Sequence, residues 1–217
     1  MADIFREVEE ELKADRASAL AKKYGPYVIG FALAIVLGTL GYNLWQDWDL
    51  ERRSERSNLY AAALALAGDG DNEAAVAALA EFGEPDGSYA TLATFERARL
   101  LADDGRRDEA LALWAGLAAN EAAGPALQGA ARLFFVMHQI DDGDPGELRV
   151  MLEPLFAVGN GFRPLALELD AILSLREGDR AKARQLYAEI ADDLTAPPGL
   201  RARAAQVLAS LGEGAGQ

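Results

Sequence analysis

The sequence predicts an all-α protein in which a single N-terminal transmembrane helix is followed by an α-solenoid of helical repeats. Three observations support this fold class. One long segment near the N-terminus carries no charge, the remaining chain has apolar residues at helical rather than strand spacing, and a glycine-centred pattern recurs at a nearly constant interval. Each segment of the chain can be assigned to one part of that architecture.

The uncharged segment lies between Lys23 and Asp47. Residues 24–46 are long enough for a transmembrane helix, which needs about 20 apolar residues. The run is longer than the apolar region of a cleaved signal peptide, and no small-residue cleavage site follows it. Aromatic residues that favour the membrane interface lie at both ends, as Tyr24, Tyr27, Tyr42, Trp45 and Trp48. These features predict an uncleaved signal anchor.

The orientation of the anchor follows from the basic residues beside it. An excess of Lys and Arg marks the cytoplasmic side of a membrane helix. The preceding flank is the more basic one, with Arg6, Lys13, Arg16, Lys22 and Lys23 against Arg52, Arg53 and Arg56 on the following flank. We therefore predict that the N-terminus is cytoplasmic and that the chain after about residue 50 lies on the other side of the membrane.

Residues 1–23 are predicted to form a short amphipathic cytoplasmic helix. Ile4, Phe5, Val8 and Leu12 form one apolar stripe, and glutamates occupy the other side. Such a helix could dock on a partner protein or rest on the membrane surface. Membrane-bound helices usually carry Lys and Arg on the polar face, which weakens the second alternative without removing it.

The chain is acidic, with a formal net charge of −14, and it contains no cysteine and one histidine. Most of the negative charge follows residue 50, which argues against nucleic acid as a partner. The lack of cysteine excludes a disulfide framework, and a single histidine is too little for most metal sites or acyl-transfer triads. We predict a non-enzymatic protein without a metal or cofactor, in which His138 is a packing or surface residue.

Four segments of the remaining chain share an apolar helix, a tight turn containing glycine and a second helix. They are ALALAGDGDNEAAVAAL (63–79), ARLLADDGRRDEALALW (98–114), VMHQIDDGDPGELRVML (136–152) and AILSLREGDRAKARQLY (171–187). Their turn glycines, Gly70, Gly105, Gly143 and Gly178, are separated by 35, 38 and 35 residues. Because the tetratricopeptide period is about 34 residues, this spacing predicts tetratricopeptide-like repeats.

Small and large residues recur at fixed positions of these segments. Small residues at two positions let the paired helices approach closely, namely Ala63, Ala98 and Ala171 before the turn and Ala75, Ala110 and Ala183 after it. A large residue nine positions after each glycine fills the gap beside the next pair, namely Leu79, Trp114, Leu152 and Tyr187. The third segment has Val136 and Leu148 at the small positions, so its helices are predicted to pack less closely.

The predicted domain organisation follows from these segments. The helix of residues 1–23 and the anchor of residues 24–46 precede a juxtamembrane linker or helix at residues 47–57. The repeat domain occupies residues 58–213 and ends in one further helix at residues 200–213, which is suited to cap a solenoid. Residues 214–217 form a short tail.

The start DIFREVEEELKADRA, the single anchor and the degenerate repeats resemble the bacterial ancillary SecYEG translocon subunit (YfgM-like) family, especially its alphaproteobacterial members. This resemblance implies a bacterial inner-membrane protein whose repeat domain lies in the periplasm. It also implies association with the Sec translocon and with periplasmic chaperones or client polypeptides.

Stacked helix pairs form a concave surface that is lined by the first helix of each pair. The alternative for any residue on such a helix is a place in the core, since large apolar side chains are mostly buried. An exposed apolar lining with arginines would suit an extended or amphipathic polypeptide. Aligning the repeats on their glycines predicts the groove residues Tyr60, Leu64, Leu92, Phe95, Arg99, Leu133, Met137, Glu168, Ile172 and Arg176.

Small residues also line one face of the predicted membrane helix, where Gly30, Ala34 and Gly38 follow each other at intervals of four. One hypothesis is that this face packs on the membrane helix of a partner. The alternative is that glycine and alanine are simply common in membrane helices.

Two functional classes remain open from the sequence. The first is an inner-membrane adaptor whose repeats bind polypeptides or chaperones near the Sec translocon. The second is a structural accessory or assembly subunit of another inner-membrane complex, either respiratory or part of the cell envelope.

Overall fold

A computed structural model of the chain describes residues 35–46, 48, 50–51, 54–83 and 87–213. Every regular element in these ranges is an α-helix or a short 3₁₀ helix, which confirms the all-α prediction. The chain divides into two compact units, Met1–Arg56 and Ser57–Gln217.

In the first unit, the described residues 35–46, 48, 50–51 and 54–56 are helical. Among the ranges that the structure describes, no helix has both the length and the apolar character needed to span a membrane. The predicted amphipathic helix (1–23), the first half of the predicted anchor (24–34) and the tail (214–217) lie outside the described residues. Several large apolar side chains of the first unit are exposed, namely Ile35, Val36, Leu37, Leu40, Leu44 and Trp45.

The second unit is built from helices throughout its described residues. The α-helices are α1 (57–68), α2 (Asn72–Ala80), α3 (Ser88–Asp103), α4 (Arg107–Ala119), α5 (Gly124–Gln139), α6 (Pro145–Leu152), α7 (Arg163–Arg176), α8 (Arg180–Asp192) and α9 (Pro198–Glu213). The 3₁₀ helix Glu121–Ala123 directly precedes α5, and the 3₁₀ helix Glu153–Leu155 directly follows α6.

Neighbouring helices of the second unit pack side by side, as a repeat array requires. The most extensive contacts join α3 to α4, α4 to α5, α7 to α8 and α8 to α9. The first helices of successive pairs also touch, since α3 contacts α5, α5 contacts α7 and α7 contacts α9. The last helix, α9, therefore occupies the place of a first helix at the end of the array.

The small and large positions predicted from the repeats form the core of the second unit. Each of these side chains is at most 4 % exposed, including the two that depart from the pattern: Ala63, Ala75, Leu79, Ala98, Ala110, Trp114, Val136, Leu148, Leu152, Ala171, Ala183 and Tyr187. The burial of every one of these positions confirms the predicted register, because the residues that the repeat alignment assigns to helix contacts are the ones that the structure removes from solvent.

Three of the four turn glycines have the left-handed backbone conformation, with φ of 87° at Gly70, 79° at Gly105 and 82° at Gly178. Glycine adopts this conformation at no steric cost. In the turn at Gly105, the glycine N–H donates to the Ala102 carbonyl at 3.0 Å and the Arg106 N–H donates to the Leu101 carbonyl at 2.8 Å. This pair of bonds is the Schellman motif, which satisfies the last carbonyls of a helix.

The third turn differs from the other three, because Gly143 is not left-handed. Its N–H donates to the Gln139 carbonyl at 2.8 Å, and a Cβ at this position would lie 2.9 Å from the same oxygen. Glycine is needed here for close approach rather than for a positive φ. Asp144 is the N-cap of α6, and its side chain accepts a hydrogen bond from the Glu147 N–H at 2.9 Å.

The pair α5–α6 has a smaller contact than α3–α4 or α7–α8, and α6 is also shorter than α4 and α8. Charge joins α6 to the next repeat instead. The Arg149 guanidinium donates to Asp170 at 2.7 Å and to Glu177 at 2.6 Å, and Lys182 of α8 donates to the same Asp170 oxygen at 3.0 Å. This network links α6 to α7 and α8.

Candidate functional site

The predicted groove residues all lie on the first helices α1, α3, α5 and α7, but they differ in exposure. Leu64, Leu92, Met137 and Arg176 are exposed. Leu133 is 5 % exposed and belongs to the core that α5 shares with α7, so only its edge reaches the surface. The remaining five are half-buried, namely Tyr60, Phe95, Arg99, Glu168 and Ile172.

Four of these residues meet in one cavity between α5, α7 and α9, with a volume of about 350 Å³. Such a volume lies near the lower end of the usual range for ligand pockets, roughly 300–1,000 Å³. The wall from α5 and its C-terminal end consists of Leu133, Met137 and Ile140, and the wall from α7 consists of Leu165, Glu168, Leu169 and Ile172. Arg203 closes the cavity from α9. We call this space the α5–α7–α9 cavity.

One ion pair lies at the edge of this otherwise apolar cavity. Arg203 donates two hydrogen bonds to Glu168, at 2.6 Å from Nε and 2.7 Å from Nη2. The Glu168 side chain is 13 % exposed, whereas the Arg203 side chain is 56 % exposed. The carboxylate is therefore satisfied and covered, and the guanidinium faces outward.

A second arginine lies at the end of the same wall. Arg176 donates to the Ile140 carbonyl at 2.6 Å and to the Gly143 carbonyl at 3.0 Å. These carbonyls follow the C-terminus of α5, where a positive charge is favoured by the helix dipole. Arg176 thus joins the third repeat to the fourth and keeps its charge next to a residue that lines the cavity.

The predicted groove residues on α1 and α3 are not part of the cavity. Tyr60 packs against Phe82 and Tyr89, with ring centroids 6.1 and 5.8 Å away. Burial, followed by the nearby charge of Glu96, raises the pKa of the Tyr60 hydroxyl. Arg99 donates to Glu96 at 2.8 Å and to Asp103 at 2.7 Å, so its charge is engaged within α3.

Aromatic rings connect the second and third repeats. Phe95 lies edge-on to Phe134 at 5.2 Å, and Phe134 contacts Trp114 at 5.5 Å. His138, predicted to be a packing or surface residue, is half-buried and stacks on Trp114 at 4.7 Å between ring centroids. Burial, together with the charge of Arg107, lowers the pKa of the His138 imidazole. This ring is consequently suited to packing as a neutral group.

The repeat interval contained information on two cavity residues that the sequence analysis missed. Arg203 follows Glu168 by 35 residues, which is the repeat interval. Leu165 takes in the fourth repeat the place that Leu92 has in the second. Treating residues 200–213 only as a cap hid the first of these, because a fifth first helix was not aligned with the others. Ile140 and Leu169 have no comparable sequence pattern.

No group of three or more His, Asp or Glu side chains among the described residues is arranged to hold a metal ion. Of the predicted membrane-helix face, Gly30 and Ala34 lie outside the described residues. Gly38 is helical, and no heavy atom of the described chain lies within 4 Å of the place where its Cβ would be.

The family model described as tetratricopeptide repeat-like domain matches residues 20–208, most of the chain. The matched region includes the whole predicted anchor as well as the helix pairs α1–α8. No curated protein and no solved structure matches the chain.

Proposed function

Because the chain belongs to the tetratricopeptide repeat-like domain family, we propose that it is a membrane-anchored adaptor whose repeats bind a polypeptide in the α5–α7–α9 cavity. Repeat domains of this family are typically non-catalytic protein-interaction modules. The observation that carries the proposal is the cavity itself, where exposed Met137 and Leu165 surround an apolar floor beside the Glu168–Arg203 pair. Apolar pockets with a few fixed polar groups are the usual form of a binding site.

The position of the cavity in the array supports a role in peptide binding. Its walls come from three successive first helices, and these helices line the inner surface of a stacked array. A bound segment would fill space that α5 and α7 leave open beside the exposed Met137 side chain. No cofactor or nucleic acid is required by this proposal.

The membrane anchor is the second part of the proposal. Residues 35–46 are the second half of the uncharged segment 24–46. In a membrane, lipid would cover their exposed apolar side chains. The proposed location is a bacterial inner membrane with the N-terminus in the cytoplasm and the repeats in the periplasm, and the excess of Lys and Arg before the uncharged segment supports this orientation. The face of Gly30, Ala34 and Gly38 would then be available to a partner's membrane helix.

The proposed location of the adaptor is beside the Sec translocon, where client polypeptides emerge and periplasmic chaperones receive them. This step rests on the resemblance of the N-terminal segment DIFREVEEELKADRA, the anchor and the repeats to the ancillary translocon subunits. The competing function is that of an accessory or assembly subunit of another inner-membrane complex.

Copurification after extraction in mild detergent separates these two functions. We expect the full-length chain to recover Sec components together with a periplasmic chaperone or client. Met137→Asp places a charge at the cavity, where the Met137 side chain is 51 % exposed, and should lose the chaperone or client while the Sec components remain. Val150→Asp is the matched control, because Val150 is exposed on α6 and does not line the cavity.

Recovery of a respiratory or envelope complex without Sec components would favour the competing function. Equal recovery of chaperone or client by wild type, Met137→Asp and Val150→Asp would remove the cavity from the binding function.

A further inference from the structure

We propose that the α5–α7–α9 cavity selects polypeptide segments in which an apolar side chain lies within one helical turn of a carboxylate, an inference that rests on the proposed function. The apolar side chain would enter the cavity, and the carboxylate would meet the guanidinium groups at its edge. The selected partner is therefore an acidic amphipathic segment rather than a basic one.

The floor of the cavity accounts for the apolar half of this preference. Leu133 and Leu169 are buried beneath it, and the Met137 and Leu165 side chains are exposed on opposite walls. Apolar side chains gain free energy when they leave water for such a surface. The volume of about 350 Å³ limits the entering group to a small cluster of aliphatic or aromatic atoms.

The charged groups at the edge account for the acidic half. Glu168 is the carboxylate that lines the cavity, and both its oxygens already accept hydrogen bonds from Arg203. Arg203 uses Nε and Nη2 in this pair. Its Nη1 group forms no hydrogen bond with a described residue. Because the Arg203 side chain is 56 % exposed, this group can donate to an incoming carboxylate.

Arg176 adds a second positive charge beside the cavity. Its two hydrogen bonds go to backbone carbonyls, of which one belongs to the lining residue Ile140. A carbonyl oxygen does not cancel the charge of a guanidinium, and the Arg176 residue is exposed. The Asp142 carboxyl, whose pKa is lowered mainly by Arg107 and in part by Arg176, is already paired with Arg107.

A basic partner segment would fit this arrangement less well. A lysine at the edge would approach two guanidinium groups, and it could reach Glu168 only by displacing a bidentate arginine. The acidic surface of the whole chain attracts basic partners over long distances, but salt screens this attraction beyond roughly 10 Å. Charges within contact distance therefore decide which segment stays bound.

Three synthetic peptides test the preference directly. Each is an acetylated and amidated helix-forming dodecapeptide with the same two leucines four residues apart, followed within one turn by two Glu, two Gln or two Lys. Calorimetric titration into the full-length chain in non-ionic detergent gives the dissociation constants. At about 50 mM salt we expect the Glu peptide to bind roughly tenfold more tightly than the Lys peptide, with a smaller difference at about 300 mM salt.

Variants of the two arginines test which guanidinium groups bind the carboxylates of the peptide. Arg203→Gln and Arg176→Gln should each reduce the preference for the Glu peptide several-fold and leave the Gln peptide nearly unaffected. Arg106→Gln is the matched control, because Arg106 forms a similar two-bond pair with Glu109 away from the cavity. The exchange of Glu168→Arg with Arg203→Glu keeps an ion pair but exposes a carboxylate, so it should reverse the preference.

The outcomes separate this inference from the proposed function. If all three peptides bind with equal affinity and Met137→Asp abolishes binding, the cavity binds polypeptides and the preference for carboxylates is wrong. A preference for the Lys peptide in the wild type would also overturn the inference alone. If no peptide binds, although the thermal transition shows a folded protein, both the inference and the proposed function are overturned.

Discussion

Ala110 and Ala183 occupy the same position in two repeats, and neither side chain is exposed to solvent. Each lies on a second helix that packs extensively on its first helix, α4 on α3 and α8 on α7. An added isobutyl group has no free volume to enter in such a contact, because protein interiors are close-packed. Alanine at these positions sets the distance between the paired helices.

Ala110→Leu and Ala183→Leu should therefore lower the midpoint of thermal unfolding of the full-length chain. Overpacking of this kind typically costs about 1–3 kcal/mol of the free energy of unfolding. Ala112→Leu and Ala181→Leu are suitable controls, because they enlarge exposed residues of the same two helices. Circular dichroism gives the midpoints, and equal midpoints in all five proteins would contradict the assigned helix contacts.

Gly105 and Gly178 act through the backbone rather than through packing. Both have a φ near 80°, and no heavy atom lies within 4 Å of the place where a Cβ would be. Any cost of substitution at these positions is therefore conformational, since the left-handed region disfavours residues with a Cβ by roughly 1–2 kcal/mol.

Gly105→Ala and Gly178→Ala should thus destabilise the chain by about 1 kcal/mol each. Gly116→Ala is a control that should increase the stability of the chain. Gly116 lies inside α4 with open space around its Cβ position, and alanine is favoured over glycine in a helix by about 1 kcal/mol. Chemical denaturation measures all three changes, and a gain in stability from either turn variant would exclude the conformational argument.

At the scale of helices, ion pairs hold α6 against the next repeat. It is short, and Arg149 ties it to Asp170 and Glu177 of the next repeat. The hydrogen bond from Arg149 holds the pKa of the Glu177 carboxyl below its usual value. A carboxyl whose pKa is lower in the folded state adds stability above its unfolded pKa, and this contribution is lost as the pH falls through the folded pKa.

Glu177→Gln should lower the thermal midpoint slightly at pH 7, and its difference from the wild type should vanish in acid, below the folded pKa of Glu177. The effect is small because the ion pair is partly exposed and screened by solvent. Glu153→Gln is the control, since it removes an exposed carboxylate that forms no ion pair with a described residue. A difference between Glu177→Gln and the wild type that stays constant from neutral to acidic pH would rule out this origin.

The helix register was predictable from the sequence because alanine, glycine and large residues recur at one interval, and each recurrence reflects a local packing need. The conformation of Gly143 was not predictable from the glycine spacing, because an aspartate follows Gly70 and Gly178 as well and only Pro145 sets the third turn apart. The α6–α7 charge network was also missed, since residues such as Arg149 and Asp170 show no periodic pattern.

The candidate cavity was predictable in part, because some of its residues recur at the repeat interval. The repeat alignment found Leu133, Met137, Glu168 and Ile172, but it did not distinguish them from residues of α1 and α3 that face other rings or ion pairs. Exposure on a first helix depends on which side chains of the next repeat lie opposite. That information comes from contacts between repeats, and a single helical periodicity does not contain it.

At the scale of the whole chain, the proposed function requires the N-terminus and the repeats to lie on opposite sides of a membrane. Lys22 and Lys23 precede the uncharged segment directly, whereas Asp47, Asp49 and Glu51 are the first charged residues after it. The distribution of Lys and Arg near a membrane helix determines its orientation, and acidic residues contribute little. Under the proposed function, the anchor holds the repeats where they meet polypeptides outside the cytoplasm.

A reporter enzyme that is active only in the periplasm tests this arrangement. When it is fused after Gln217, it should be active, and a reporter that works only in the cytoplasm should be inactive at the same site. Replacing Lys22 and Lys23 by Gln, together with Asp47→Lys and Asp49→Lys, moves the basic excess to the other flank and should reduce or reverse the signal. The matched control exchanges Lys22 and Lys23 for Arg, which keeps the charge and should keep the orientation. Cytoplasmic activity of the wild-type fusion would place the repeats in the cytoplasm, and polypeptide binding would then have to occur on that side of the membrane.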